Sequence, residues 1–143
     1  MFSLDRYSVC GIIGEGAFSE VFLAIHKSTG TAVAVKRIPR KDPKNISDQM
    51  MIEQEIDILC SLEHPCVYKL FDFIREDDFY YLIFEYIDNG NLLDFVNNNG
   101  RLLEKTARQY FTQLISCLKY LKDRSIAHRD IKLENILLDR YYN

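Results

Sequence analysis

A break at Asp88-Asn89-Gly90-Asn91 constrains this chain more than any other feature. Ahead of it the apolar residues fall mostly in short β-prone runs, with one helical stripe among them; beyond it they recur at helical spacing. The shift from strands to helices makes the chain a mixture of the two kinds of element. Tyr7–Ile13, Glu20–His26 and Thr31–Ile38 are expected strands, with Ser28-Thr29-Gly30 as turn chemistry, and together they make an antiparallel meander. Val67–Ile74 and Phe79–Tyr86 are two more, joined by the acidic turn Arg75-Glu76-Asp77-Asp78. Between the two sets, Pro39 to Asn45 reads as a basic loop. A helix then runs to about Leu62, with Ser47-Asp48 as its cap. Its apolar stripe is Met51, Ile52, Ile56, Leu59 and Leu62, widened by Met50 and Ile58, and His64-Pro65 ends it. After the break, a short helix Leu92–Val96 is expected to end in Asn97-Asn98-Asn99-Gly100. A long helix from about Glu104 to Lys122 should bury Ala107, Tyr110, Phe111, Leu114, Leu118 and Leu121.

A chain of 143 residues holds one domain with a real core, or a small lobe plus part of a second. Its net charge of −3 and pI near 5.6 make no electrostatic case for nucleic acid or an anionic membrane. No apolar run approaches the roughly 20 residues that span a bilayer. The start, Met1 to Arg6, lacks the basic-then-apolar order of a secretory signal. Cys10, Cys60, Cys66 and Cys117 form no CxxC pair and sit mostly among apolar neighbours; they are expected to be reduced, structural thiols of a cytoplasmic protein.

Three groups of residues carry chemistry. Gly14-Glu15-Gly16-Ala17-Phe18-Ser19-Glu20-Val21 lies between two strands, where glycines let a backbone approach a triphosphate. A tight hairpin explains two glycines equally well. A dinucleotide fingerprint is excluded, because a strand and not a helix follows. Val33-Ala34-Val35-Lys36 ends an apolar strand in a lysine. That lysine is either a solvated strand end or an ammonium for nucleotide phosphates, positioned by a carboxylate such as Glu55. Glu55 is otherwise a surface residue beside Glu53. The third group, His128-Arg129-Asp130-Ile131-Lys132-Leu133-Glu134-Asn135, precedes the apolar run Ile136-Leu137-Leu138, which should pin it as a buried strand. Asp130 can accept or orient a hydroxyl proton, Lys132 can neutralise a transferring phosphoryl group, and Asn135 can offer a hard oxygen to Mg²⁺.

In this order and rough spacing, the glycine loop, V-A-V-K, helix glutamate and H-R-D-I-K-L-E-N resemble the eukaryotic protein kinase domain over 7–143. The D-I-K-x-x-N form resembles the serine/threonine type. Gly16-Ala17-Phe18-Ser19 and Asn91 lean toward the calcium/calmodulin-dependent or AMP-activated groups. The resemblance implies the α+β class, with a five-stranded antiparallel sheet and one helix over 7–87, and the start of a mainly helical lobe over 88–143. It implies ATP and Mg²⁺ as cofactors and a protein Ser/Thr hydroxyl as substrate. Ile13, Gly14, Gly16 and Val21 would cover the nucleotide, and Ala34 and Leu137 would sandwich its adenine. Glu85 and Ile87 would hydrogen-bond the adenine edge through their backbones, beside Phe84. Lys36 would pair with Glu55. Asp130 would be the catalytic aspartate, aided by Lys132, and Asn135 a metal ligand. Leu59, Leu70 and His128 match positions stacked between the lobes.

The pattern departs from the family in places. Ser19 replaces a third glycine, Cys66 follows His64-Pro65 where asparagine is usual, and Asn91 stands where basophilic kinases carry an acid. The chain carries no D-F-G, activation loop or A-P-E, and Asp139 to Asn143 falls where the strand leading into D-F-G is expected. A C-terminally truncated kinase domain, inactive on its own, is therefore expected: losing a principal metal ligand should cost at least about 10³ in rate, about 4 kcal/mol. One apolar face of the long helix should then be exposed. The alternative is a non-catalytic module that holds a nucleotide or a partner kinase.

Overall fold

The computed structural model describes residues 4–16, 19–40 and 46–143, without the side chains of 46–49 and 51. The chain divides into two compact units. The first comprises Met1–Glu63 and Tyr68–Tyr86, the second His64–Val67 and Ile87–Asn143.

The first unit is a five-stranded antiparallel sheet with one helix. Its strands are β1 (Tyr7–Gly16), β2 (Ser19–His26), β3 (Ala32–Pro39), β4 (Leu70–Arg75) and β5 (Phe79–Glu85), in the order β1-β2-β3-β5-β4. The expected meander is present, and Gly30, at φ 70°, turns the chain between β2 and β3 as only a residue without Cβ does cheaply. β1 is longer than expected and carries two register shifts, leaving Cys10 and Ile13 unopposed.

Side chains alternate across a pleated sheet, so consecutive apolar residues on a central strand need cover on both sides. β5 meets this demand. Tyr81 and Ile83 join Tyr7, Ala24, Val33, Val35 and Ile74 on one face, where Leu4, Phe22 and Phe79 pack. Tyr80, Leu82 and Phe84 lie on the other, against Ile56. Burying a side chain such as Ile83 fully contributes about 1.5–3 kcal/mol.

Helix α1 (Ile46–Ser61) covers the second face through Ile52, Ile56 and Leu59. Met50 and Ile58, the two residues that widened its stripe, are exposed. Because α1 starts at Ile46, Ser47 and Asp48 lie inside its first turn and do not precede it as caps. Their side chains, that of Met51, and the loop residues 41–45 are outside the described residues.

β4 starts at Leu70, three residues later than expected. Pro65, with its fixed φ, favours a turn, and Val67 donates its N–H to the His64 carbonyl at 3.0 Å. Phe71, at the register shift between Leu70 and Asp72, is exposed.

The second unit holds α2 (Leu92–Asn99) and α3 (Glu104–Asp123). α2 runs through Asn97–Asn99, past its expected end at Val96. Asn91 caps its start, accepting the Asp94 N–H at 2.9 Å, and Gly100, at φ 81°, donates to the Val96 carbonyl at 2.8 Å. Leu92, Tyr110 and Leu138 form the core, with Phe95, Val96, Leu102 and Ile136 around them. Tyr110 and Leu121 of α3 are buried, but Phe111, expected on the same face, is 62% exposed. Phe111 sits about 100° further round the helix than Tyr110. The four cysteines are free thiols; Cys10, Cys60 and Cys66 are exposed, so these three are not core residues. No described helix is long and apolar enough to cross a membrane.

Candidate active site

In the second unit the site is built by a loop whose downstream end is held. Downstream, Asn91 and Leu137 form an antiparallel bridge. Leu92 donates to the Ile136 carbonyl at 2.8 Å, Leu138 to that of Gly90 at 2.9 Å, and Asn89 to that of Leu138 at 3.1 Å. Leu138, 1% exposed, anchors this stretch in the core. The expected pinning thus occurs, through one buried residue in a short bridge; Ile136 is half-buried and Leu137 exposed. A single turn, Leu133–Asn135, precedes it, closed by Ile136 donating to the Leu133 carbonyl.

Asp130 is the hub. The Asn135 amide nitrogen donates to its Oδ2 at 2.8 Å and to its carbonyl at 2.9 Å. Lys132 Nζ lies 3.2 Å from the same Oδ2. The Asp130 N–H donates to His128 Nδ1 at 3.3 Å, and Arg129 holds a left-handed backbone at φ 67°. The Asn135 amide, then Lys132, hold the Asp130 carboxyl below its usual range, although the group is exposed to solvent. Asp130 is therefore a carboxylate at neutral pH. Its contacts fall on Oδ2, which leaves Oδ1 as the oxygen suited to a substrate hydroxyl. With the nitrogen of Asn135 committed to Asp130, its amide oxygen is the end that faces away. A neutral hard oxygen of that kind suits Mg²⁺.

In the first unit, Gly14, Gly16 and Val21 lie on the β1–β2 hairpin, with Gly14 opposite Val21 and Gly16 opposite Ser19. A Cβ on Gly16 would meet the Ser19 hydroxyl at 2.9 Å, a crowding relieved by rotating that serine. The hairpin tip, Ala17 and Phe18, is outside the described residues. Ile13 is 47% exposed at a register shift. Val21 pairs with Lys36, Lys36 with Leu82 and Ala34 with Phe84, so all of these share the face that α1 covers. Glu85 ends β5 and gives its N–H to the Lys69 carbonyl at 2.8 Å; Ile87 follows in the chain and, like Leu137, belongs to the second unit.

The expected Lys36–Glu55 pair is not formed. Ion pairs in this unit join Arg6 to Asp72, Arg37 to Glu20 and Arg75 to Glu53, and among the described residues none joins Lys36 to Glu55. The reason lies in how α1 docks. Ile52, Ile56 and Leu59 set its rotation, and Glu55, at the margin of that stripe, stays exposed.

Sequence reasoning missed the other half of the loop's anchorage. Asn89, Gly90 and Asn91 read as a pattern break, yet their backbone holds the downstream end of the catalytic run. Gly90, at φ 66°, was the available sign of a backbone with a special task. Nothing in the residue types announced the left-handed Arg129.

Residues 7–143 match the model of the protein kinase domain. The SNF1-related protein kinase catalytic subunit alpha KIN12 of Arabidopsis thaliana is 37% identical over 140 residues, 98% of this chain and 28% of that protein. The carbon catabolite-derepressing protein kinase of Saccharomyces cerevisiae is 39% identical over 140 residues, 98% of this chain and 22% of that protein. The crystal structure of Rad53 1-466 in complex with AMP-PNP superposes with a TM-score of 0.85 at 32% identity, covering 94% of this chain and 35% of that one. The chain thus spans between 22% and 28% of the length of these two curated relatives. A sheet with one covering helix, a carboxylate–ammonium–amide loop pinned at its downstream end, and matches of this extent agree: the chain belongs to the protein kinase domain family, and its relatives are serine/threonine kinases of the SNF1-related kind.

Proposed function

We propose that this chain carries the nucleotide-binding and catalytic-loop portion of a serine/threonine protein kinase that moves the γ-phosphoryl group of ATP to a protein hydroxyl. The observation that carries the reading is the cluster of Asp130, Lys132 and Asn135 on a loop anchored through Leu138. In the step, the substrate oxygen bonds to the γ-phosphorus while the bond from that phosphorus to the bridging oxygen breaks and ADP leaves. Asp130 orients the hydroxyl and takes its proton. Lys132 sits beside Asp130 and offsets charge on the transferring group. Mg²⁺, when bound with the nucleotide, neutralises phosphate charge, and Asn135 is the residue whose oxygen suits it. The β1–β2 hairpin and Lys36 are assigned to the phosphates, and Ala34, Leu137 and the backbones of Glu85 and Ile87 to the adenine. The nucleotide assignment draws support from AMP-PNP in the Rad53 structure.

One observation favours a second reading, a module that holds a nucleotide or a partner kinase without catalysis: Glu55 stands exposed and unpaired with Lys36. The test has two arms. The 143-residue chain is titrated with AMP-PNP and Mg²⁺ by calorimetry, and saturable binding weakened by Lys36→Ala is expected. Label from γ-labelled ATP is then followed onto Ser/Thr peptides in the natural protein that carries this chain, with an Asp130→Ala control. Binding without transfer establishes the module, and transfer that survives Asp130→Ala removes the catalytic assignment.

A further inference from the structure

We propose that Cys66 and Cys117 are a thiol pair that peroxide can close into a disulfide, fastening the His64–Val67 turn to α3. The turn is bound to the helix already. Cys66 donates its N–H to His64 Nδ1 at 3.0 Å, which folds the imidazole back over the turn. The other ring nitrogen, Nε2, lies 3.2 Å from the Ser116 hydroxyl, and the ring packs on Tyr120 with centroids 5.0 Å apart. Ser116 and Tyr120 stand one turn apart on α3. Cys117 follows Ser116 and precedes Tyr120 by three residues, so it shares the edge of the helix that the imidazole grips. The imidazole thus draws the residue two places after His64 toward that edge.

Both thiols are free, Cys66 exposed and Cys117 half-buried. Burial raises each thiol above its ordinary range, and negative charge on Cys66 adds to the rise at Cys117. Joining two thiols in a disulfide removes two electrons, so the pair needs an oxidant; because neither thiol is an activated thiolate, the reaction should quicken as pH rises. Hydrogen peroxide supplies it in two steps. The accessible Cys66 thiolate attacks one peroxide oxygen, the O–O bond breaks, and water leaves after protonation, giving a sulfenic acid. The Cys117 thiolate then attacks that sulfur and expels a second water. In sum, two thiols lose two hydrogens to one peroxide, which becomes two waters.

A disulfide demands Cα atoms about 4.4–6.8 Å apart, so its formation reports the approach directly. The folded 143-residue chain is treated with hydrogen peroxide, alkylated, digested without reductant and mapped by mass spectrometry. The expected product is an intrachain peptide pair joining Cys66 to Cys117, reversed by dithiothreitol. In Cys66→Ser, Cys117 should stay alkylatable. A parallel reaction in urea should favour Cys60–Cys66 instead, because the shorter loop closes at lower entropic cost in an unfolded chain. Cys66 and Cys117 both remaining alkylatable in the folded chain overturns the proposal. So do links from Cys66 to Cys10 or Cys60, links only between chains, or the same Cys66–Cys117 preference in urea.

Discussion

The two charged loci of this chain differ in how far each is assembled. Asp130, Lys132 and Asn135 lie within six consecutive residues, and the folded loop brings all three into contact. Lys36 and Glu55 come from a strand and a separate helix of the sheet unit, and they stay apart. A short loop has few ways to satisfy an amide, an ammonium and a carboxylate, so local hydrogen bonds decide its geometry once its downstream end is fixed. A pair spread over two elements depends on how the helix docks, and the docking here obeys Ile52, Ile56 and Leu59 and not the charge on Glu55. An exposed ion pair contributes about 0–1 kcal/mol, too little to rotate a helix against that burial.

The largest expected effect breaks the assembled locus. Asp130→Ala should lower phosphoryl transfer in the natural protein by about 10²–10⁴-fold, the usual weight of a positioned acid–base group, while AMP-PNP affinity holds. Parallel losses in both quantities would mean the substitution unfolds the loop. Leu138→Ala removes the anchor itself. It should cost about 2–5 kcal/mol in urea melts, and a smaller loss would show that the loop holds its shape without its core contact.

The separated locus is probed by two substitutions read side by side. Lys36→Ala should weaken AMP-PNP binding by about tenfold, about 1.4 kcal/mol. Glu55→Gln should leave that affinity unchanged, since among the described residues no ion pair joins this carboxylate to Lys36. Equal losses in the two variants would show that the nucleotide draws the pair together, and the contrast between the loci would hold only for the empty chain. Asn91→Ala, which deletes the cap of α2, should cost about 1 kcal/mol, measured as a shift in the thermal midpoint.

The smallest effect concerns pH. The Asp130 carboxyl titrates below its usual range because the Asn135 amide, then Lys132, favour its ionised form. A depressed carboxyl contributes its stability above the unfolded value and loses it as pH falls through the folded one. Asn135→Ala should move the Asp130 midpoint upward, read by side-chain carboxyl NMR. An unmoved midpoint would assign the shift to Lys132 instead.

Much of this was legible in residue order. β5 announced itself through unbroken apolar residues from Phe79 to Phe84, which need cover on both faces and received it. The chemistry of Asp130, Lys132 and Asn135 was equally readable, because contiguous residues carry their own spacing. Boundaries were harder. Asparagine is a poor helix former, so Asn97–Asn99 read as an ending, whereas the backbone ran on to Gly100, where the left-handed turn is cheap. Val67 looked like strand, but Pro65 folded the segment into a turn that belongs to the other unit. Phe111 fitted a helical stripe drawn wider than the packing around Tyr110 and Leu138 uses.

The sequence by itself determined the α+β class, the order of strands and helices, and the residues proposed to move a phosphoryl group. Those follow from periodicity, turn chemistry and functional groups, all properties of neighbours in the chain. The tertiary structure alone decided that Asn89 to Asn91 hold the downstream end of the Asp130–Asn135 loop and that Glu55 faces solvent. It also decided that His64, in the turn before β4, reaches Ser116 of α3. Each is a relation between distant segments, fixed by which apolar surfaces bury one another and not by any single residue's preference.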